Sequence, residues 1–303
     1  MKPHRTIAIA FLFLLLGAAP EKSGQTVLIL SSNEPHVQAV AQGFRAAFSG
    51  DYREINLEGS DKKIRAFGEE LQAAKPHLAV AVGDHAAQLA KWYLAGVPVI
   101  YCDAPRASKI ALPESQSIGV SHFSRPSEQL EVIRKLFPNR KRIGLFYSRE
   151  YSGILNGEKL AAEARGQGLE LRLNIMGSIQ EVPGRLREEM PRADLLWVFT
   201  DPVVFSSYSI EYLVLQSVTA GVPIFCGDGV LAAGGATAAW VPDLADVGAK
   251  AAQEAKRVLE KAPVSYGSVL YPQGSLVLNN RIATLLKISF SADDLSRAVK
   301  VIQ

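Results

Sequence analysis

Short apolar runs alternate along this chain with stretches whose apolar residues recur every three or four positions. Thr26 to Ser31 (TVLILS) is apolar and β-branched, the pattern of a buried strand. From Pro35 onward Val37, Val40, Ala41, Phe44 and Phe48 fall at helical spacing. A proline in the first turn, with Ser32 or Asn33 just before it, is a helix start. The same two patterns predict strands over 52–57, 78–82, 97–102 and 116–121, separated by helices over 62–73 and from about 84 to 93. After Phe123 the cycle restarts. It gives helices over 128–137, 154–166, 179–190 and 203–219, and strands over 142–147, 169–174, 194–199 and 222–226. Strict alternation of strand and helix predicts mostly parallel sheets in an α/β fold.

One phrase occurs twice. AGVPVIYCD spans Ala95 to Asp103, and AGVPIFCGD spans Ala220 to Asp228. Each places a glycine at a helix end, a proline at a strand start and a polar residue just past the strand. The repeat therefore marks one architectural slot in two similar halves, and two Rossmann-like lobes are expected. In open parallel sheets ligands bind beyond the carboxyl ends of the strands, and a cleft between two lobes is a favoured site. Those strand ends supply the candidate ligand-binding residues. From the first half they are Ser32, Asn33, Asp84, His85, Tyr101 and Asp103; from the second, Phe123, Tyr147, Tyr151, Asp201, Phe205 and Asp228. The aromatic members offer broad faces on which a ring can stack. Cationic residues near these ends are few, Arg106 and Arg149 among them, so a highly charged ligand is not expected. An aromatic amino acid, a sugar, or a largely apolar lipid or sterol-like molecule all stay open.

Composition narrows the class. At 303 residues, 48% hydrophobic and 21% charged, the chain can form two domains with sizeable cores. The formal charge of +3 is spread without a basic block, so nucleic acid is not an expected partner. The first residues read as a secretory leader, here taken as 1–24. Lys2 and Arg5 precede an apolar run from Ile7 to Leu16 and small residues at Gly17 to Ala19. That run is short for a retained membrane anchor of about 20 residues. The two cysteines, Cys102 and Cys226, are too few for a disulfide framework and are read as buried thiols at strand ends. GDGVLA at Gly227–Ala232 matches a dinucleotide fingerprint, but it lies late in its lobe and meets Gly234 and Gly235 within a few residues, so no cofactor is expected. There is no G-x-S-x-G elbow and no zinc-like histidine spacing, so an enzyme is not expected.

The chain resembles the ABC transporter substrate-binding proteins of the type I periplasmic binding protein fold, a group that includes aromatic amino acid binders. The stretches that carry the resemblance are PNRKRIGLFYSREYSG, AEARGQGLEL, DLLWVFTDPVV, AGVPIFCGDG, GGATAAW, LADVGAKAAQEAKRVL and LVLNNRIATLLKI. The resemblance implies three crossings between lobes, near 121–125, 238–242 and 271–275. The N-terminal lobe is then residues 25–122 with 242–271, and the C-terminal lobe 123–241 with 272–303. It also implies a periplasmic, monomeric binder that serves an ABC permease and ATPase. A ligand-sensing domain of the same fold, feeding a signalling partner, is the alternative.

Overall fold

A computed structural model describes residues 26–199 and 207–303. The expected leader therefore lies outside the described residues. Among the described residues, no helix is long and apolar enough to cross a membrane. In chain order the strands are β1 (Thr26–Leu30), β2 (Tyr52–Asn56), β3 (Leu78–Val82), β4 (Val99–Cys102), β5 (Ser117–Val120), β6 (Arg142–Ser148), β7 (Glu170–Met176), β8 (Leu195–Val198), β9 (Ile224–Cys226), β10 (Ala238–Pro242), β11 (Val269–Leu270), β12 (Gly274–Asn279) and β13 (Lys300–Ile302).

They form two sheets, ordered β11-β5-β4-β3-β1-β2 and β13-β12-β10-β9-β8-β6-β7. The first five strands of each half thus share the order 2-1-3-4-5, and the repeated phrase leads into the fourth strand of each. Gly96 (φ 79°) and Gly221 (φ 70°) both take the left-handed conformation that turns helix into strand. Every pairing is parallel except β10 with β12. The α/β expectation of two mostly parallel sheets holds.

Successive strand residues face opposite sides, so each sheet carries two cores. In the first sheet Leu28, Leu30, Val80 and Ile100 pack against helices Pro35–Ala47 and Leu244–Leu259. Ile29, Ala79, Ala81 and Val99 face helices Asp61–Ala74 and Asp84–Tyr93. In the second sheet Leu145, Trp197 and Phe225 cover one side, while Phe146, Leu196, Val198 and Ile224 cover the other. The helix expected over 154–166 is two helices, Ser152–Leu155 and Gly157–Gly166. Asn156 breaks it with φ 42°, and its side chain accepts the Lys159 N–H at 3.3 Å. Asparagine tolerates this conformation and caps well. The helix expected over 203–219 is described as Ser207–Ala220; its predicted first turn lies outside the described residues.

The chain passes between the sheets after β5, after β10 and after β11. These crossings are tied to neighbouring strands. Ser121 N–H donates to Leu270 O at 2.8 Å, Asp243 N–H to Gln273 O at 2.8 Å, and Ser124 Oγ–H to Trp240 O at 3.1 Å. Gln129, fully buried, donates to Ser124 O and accepts the Trp197 indole N–H, each at 3.1 Å.

The two helices covering the first sheet cross at reciprocal glycines. A Cβ at Gly43 would overlap the Ala245 carbonyl, and one at Gly248 would overlap the Val40 carbonyl. Both neighbours are backbone and cannot swing aside. Gly248→Ala is expected to destabilise the protein by about 1–3 kcal/mol through overpacking. Thermal unfolding checks this, and an unchanged midpoint contradicts the close-crossing account.

Candidate functional site

A cavity of about 550 Å³ opens between the carboxyl ends of the two sheets. That volume suits one small organic molecule. The first half contributes His36, near the start of helix Pro35–Ala47, and Asp103 and Pro105 just past β4. The second contributes Ile210, Gly227 and Asp228 just past β9, and Gly229 and Val230 at the start of the following helix. His122 and Phe123 of the first crossing, and Val241, Pro242 and Leu244 of the second, close the rear. Outside the cavity lining, the Lys109 ammonium on the first half pairs with the Glu150 carboxylate just after β6.

Asp103 is the most unusual group here. It takes φ 50°, in the left-handed region that glycine, asparagine and aspartate enter more readily than other residues. Its residue is only 6% exposed, and its Oδ2 has no hydrogen-bond partner. His36 Nε2 stands 3.6 Å away, beyond hydrogen-bond range. Burial pushes the Asp103 carboxyl up to about 6; His36 partly offsets this, and Asp84 and Glu34 add to it. Burial also holds the His122 imidazole down at about 3, with His36 assisting, so His122 is neutral at pH 7. The His122 ring lies 3.5 Å from the Phe123 ring, which in turn lies 4.2 Å from Phe199. Among the described residues lining the cavity, the ionisable groups are two carboxylates and two imidazoles. Its field therefore favours a cationic or neutral guest over an anion.

Asp103, Phe123 and Asp228 of the sequence candidates line this cavity. Asp228 also caps helix Gly229–Gly234, accepting the Leu231 N–H at 2.8 Å. Other candidates need correction. Tyr147 is 1% exposed and packed in the core, with its hydroxyl against Gly157, so it does not reach the cavity. Tyr101 follows the pleat of β4 onto the opposite sheet face from Cys102 and lies across Gly119. Asp84 and His85 line a separate hollow of about 280 Å³, where Asp84 accepts two hydrogen bonds from Arg106 at 3.0 Å. Ser32 Oγ accepts the Glu34 N–H at 3.3 Å and Asn33 Oδ1 accepts from Asn56 at 2.7 Å, and neither residue lines the cavity. Asp201, Phe205 and the Tyr151 side chain lie outside the described residues. His36 and Leu244 went unselected; each opens a helix, and a helix-start position gives no sign of what it faces. Cys102 and Cys226 are both buried free thiols, held protonated by desolvation.

With this geometry in place, comparison with known proteins assigns the class. The family model for ABC transporter substrate binding proteins matches residues 37–302, and the chain belongs to that family. A tyrosine-binding protein of Clostridioides difficile (strain R20291) is 23% identical over 242 residues, spanning 75% of this chain and 70% of that one. An ABC domain from Streptococcus pneumoniae, solved in complex with L-Trp, is 23% identical with a TM-score of 0.64, covering 92% of this chain and 100% of that one. A ligand-free, open substrate-binding protein with adhesive properties from Clostridium difficile is 18% identical, with a TM-score of 0.73 over 92% of this chain and 99% of that one. These two likenesses show the two-lobed fold.

Asp103 and His122 make opposite contributions to stability across one pH window. Folded Asp103 keeps a proton that the unfolded chain, with the ordinary value of 3.8, releases, so its contribution falls as pH rises from about 4 to 6. Folded His122 refuses a proton that the unfolded chain binds below 6.5, so its contribution rises over the same window. Denaturant titrations at pH 4 to 6 are expected to steepen upward in Asp103→Asn and tilt downward in His122→Gln, relative to wild type. Parallel curves for all three proteins contradict the assignment.

Proposed function

We propose that this chain is the exported, periplasmic solute-binding component of an ABC-type transport system. It carries a small ligand with an aromatic or largely apolar body and a protonated amine. The observation that carries the reading is the Asp103 carboxylate, buried and with one oxygen unpartnered, at the edge of an otherwise largely apolar cavity. A buried charge without a partner is costly, and an ammonium from the guest removes that cost. Phe123, Ile210, Val230, Val241 and Leu244 supply apolar contact for the body of the ligand. The tyrosine-binding relative and the L-Trp complex support an aromatic amine.

In this reading residues 25–122 with 242–271 move as one lobe, and 123–241 with 272–303 as the other. The closed monomer delivers its guest to permease and ATPase subunits and carries out no chemistry. A neutral lipid or sterol-like guest is the second reading, favoured by the apolar wall alone. It separates from the first because its binding has no reason to follow the ionisation of Asp103.

Asp103→Asn is expected to weaken binding of the compound that co-purifies with the protein by roughly 10- to 100-fold, the worth of one charge-assisted hydrogen bond. Wild-type affinity is expected to drop as pH falls below about 6, where the carboxyl takes up its proton. Calorimetric titration reads both, and an affinity indifferent to the substitution and to pH excludes the amine. Closure is checked by solution scattering: saturating ligand should reduce the radius of gyration, and superimposable profiles contradict hinge closure.

A further inference from the structure

A second cavity, of about 530 Å³, lies on the far side of the first crossing and nearly equals the interlobe cavity in size. Its roof is the short helix Ala107–Ile110 with the turn through Leu112 to Glu114. Its floor is formed by Tyr101 of β4 and by Ser117 and Val120 of β5. Val269 of the edge strand β11 and Tyr271 of the third crossing close one side. His122 and Phe123 line both cavities and form the partition between them.

The wall is chemically mixed. Ala104, Leu112, Val120, Phe123 and Val269 are apolar, whereas the Tyr101 hydroxyl, Ser108 and Glu114 are polar. Gly119 makes room for the Tyr101 ring, since a Cβ there would sit 2.6 Å from the hydroxyl oxygen. Burial and the nearby Glu114 carboxylate raise the Tyr101 phenol above its ordinary value, so the hydroxyl keeps its proton. Among the described residues, no lysine or arginine lines the space. Tyr271 carries the Arg125 guanidinium over its ring at 4.9 Å, which ties this wall to the crossing at 121–125.

We propose that this second cavity is a hinge-side binding site for a small amphiphile with an apolar ring body and an ammonium or hydroxyl donor, distinct from the guest held between the lobes. Tyr101 and Glu114 receive the donor, while Leu112, Val120 and Val269 cover the ring. An occupant here rests against His122 and Phe123, so its binding and that of the interlobe guest alter one another by the same factor.

The test uses the fluorescent arylamine N-phenyl-1-naphthylamine and a background of Ile210→Trp, which puts an indole into the interlobe cavity and obstructs it. Binding that survives this substitution and responds to those at the hinge-side cavity is separated from binding between the lobes. Saturable binding is expected in this background. Adding Ser108→Trp or Val269→Trp, two partly exposed positions that fill the hinge-side cavity, should weaken it roughly tenfold or more. Circular dichroism confirms folding of each variant. Tryptamine or indole-3-ethanol should displace the probe, each reporting one of the two donors, and indole-3-acetate should not. Absence of saturable binding, binding untouched by both substitutions, or equal displacement by indole-3-acetate overturns the proposal.

Discussion

The carboxylate of Asp103 is a charge placed where water is scarce, and its Oδ2 has no hydrogen-bond partner. Its backbone is held in the left-handed region just past β4, its residue is almost wholly covered, and His36 Nε2 stands 3.6 Å from Oδ2, at ion-pair but not hydrogen-bond distance. Such a group lowers the stability of the empty protein and raises its affinity for a guest that brings a donor. A binder needs this bias: the site is less stable empty than full. The cavity geometry, the apolar wall and the absence of basic lining residues among those described all make sense around that one unsatisfied oxygen.

The rest of the fold serves to bring that oxygen to the gap between two sheets. Both halves use the order 2-1-3-4-5, so the fourth strand of each ends at the same rim and delivers Asp103 from one side and Asp228 from the other. Three crossings join the halves, each hydrogen-bonded to a neighbouring strand. Such a connection restricts relative motion to few modes. The Lys109–Glu150 pair links the halves away from the crossings. Its charges are partly exposed and its contribution is correspondingly small.

Much of this was legible in the residues. Apolar runs and helical spacing located the strands, and the duplicated AGVP phrase located equivalent slots in both halves, because glycine and proline have narrow backbone roles. Of the strand-end candidates, Asp103, Phe123 and Asp228 line the interlobe cavity. Tyr147 and Tyr101 do not, because proximity to a strand end does not say which way the pleat turns a side chain. One ring went into the core and the other across Gly119. Ser32, Asn33 and Asp84 lie away from the cavity, their short polar side chains engaged by Glu34, Asn56 and Arg106. His36 and the helix Ala107–Ile110 left no periodic signal; one is a single turn-start residue, and the other is too short to show spacing.

The most direct measurement is a crystal structure of the protein with the compound it retains from its own cell extract. The account predicts density in the interlobe cavity, with a nitrogen donor within hydrogen-bond distance of Asp103 Oδ2 and a ring or apolar body against Phe123. A guest seated elsewhere, or an anionic group turned toward Asp103, would contradict it.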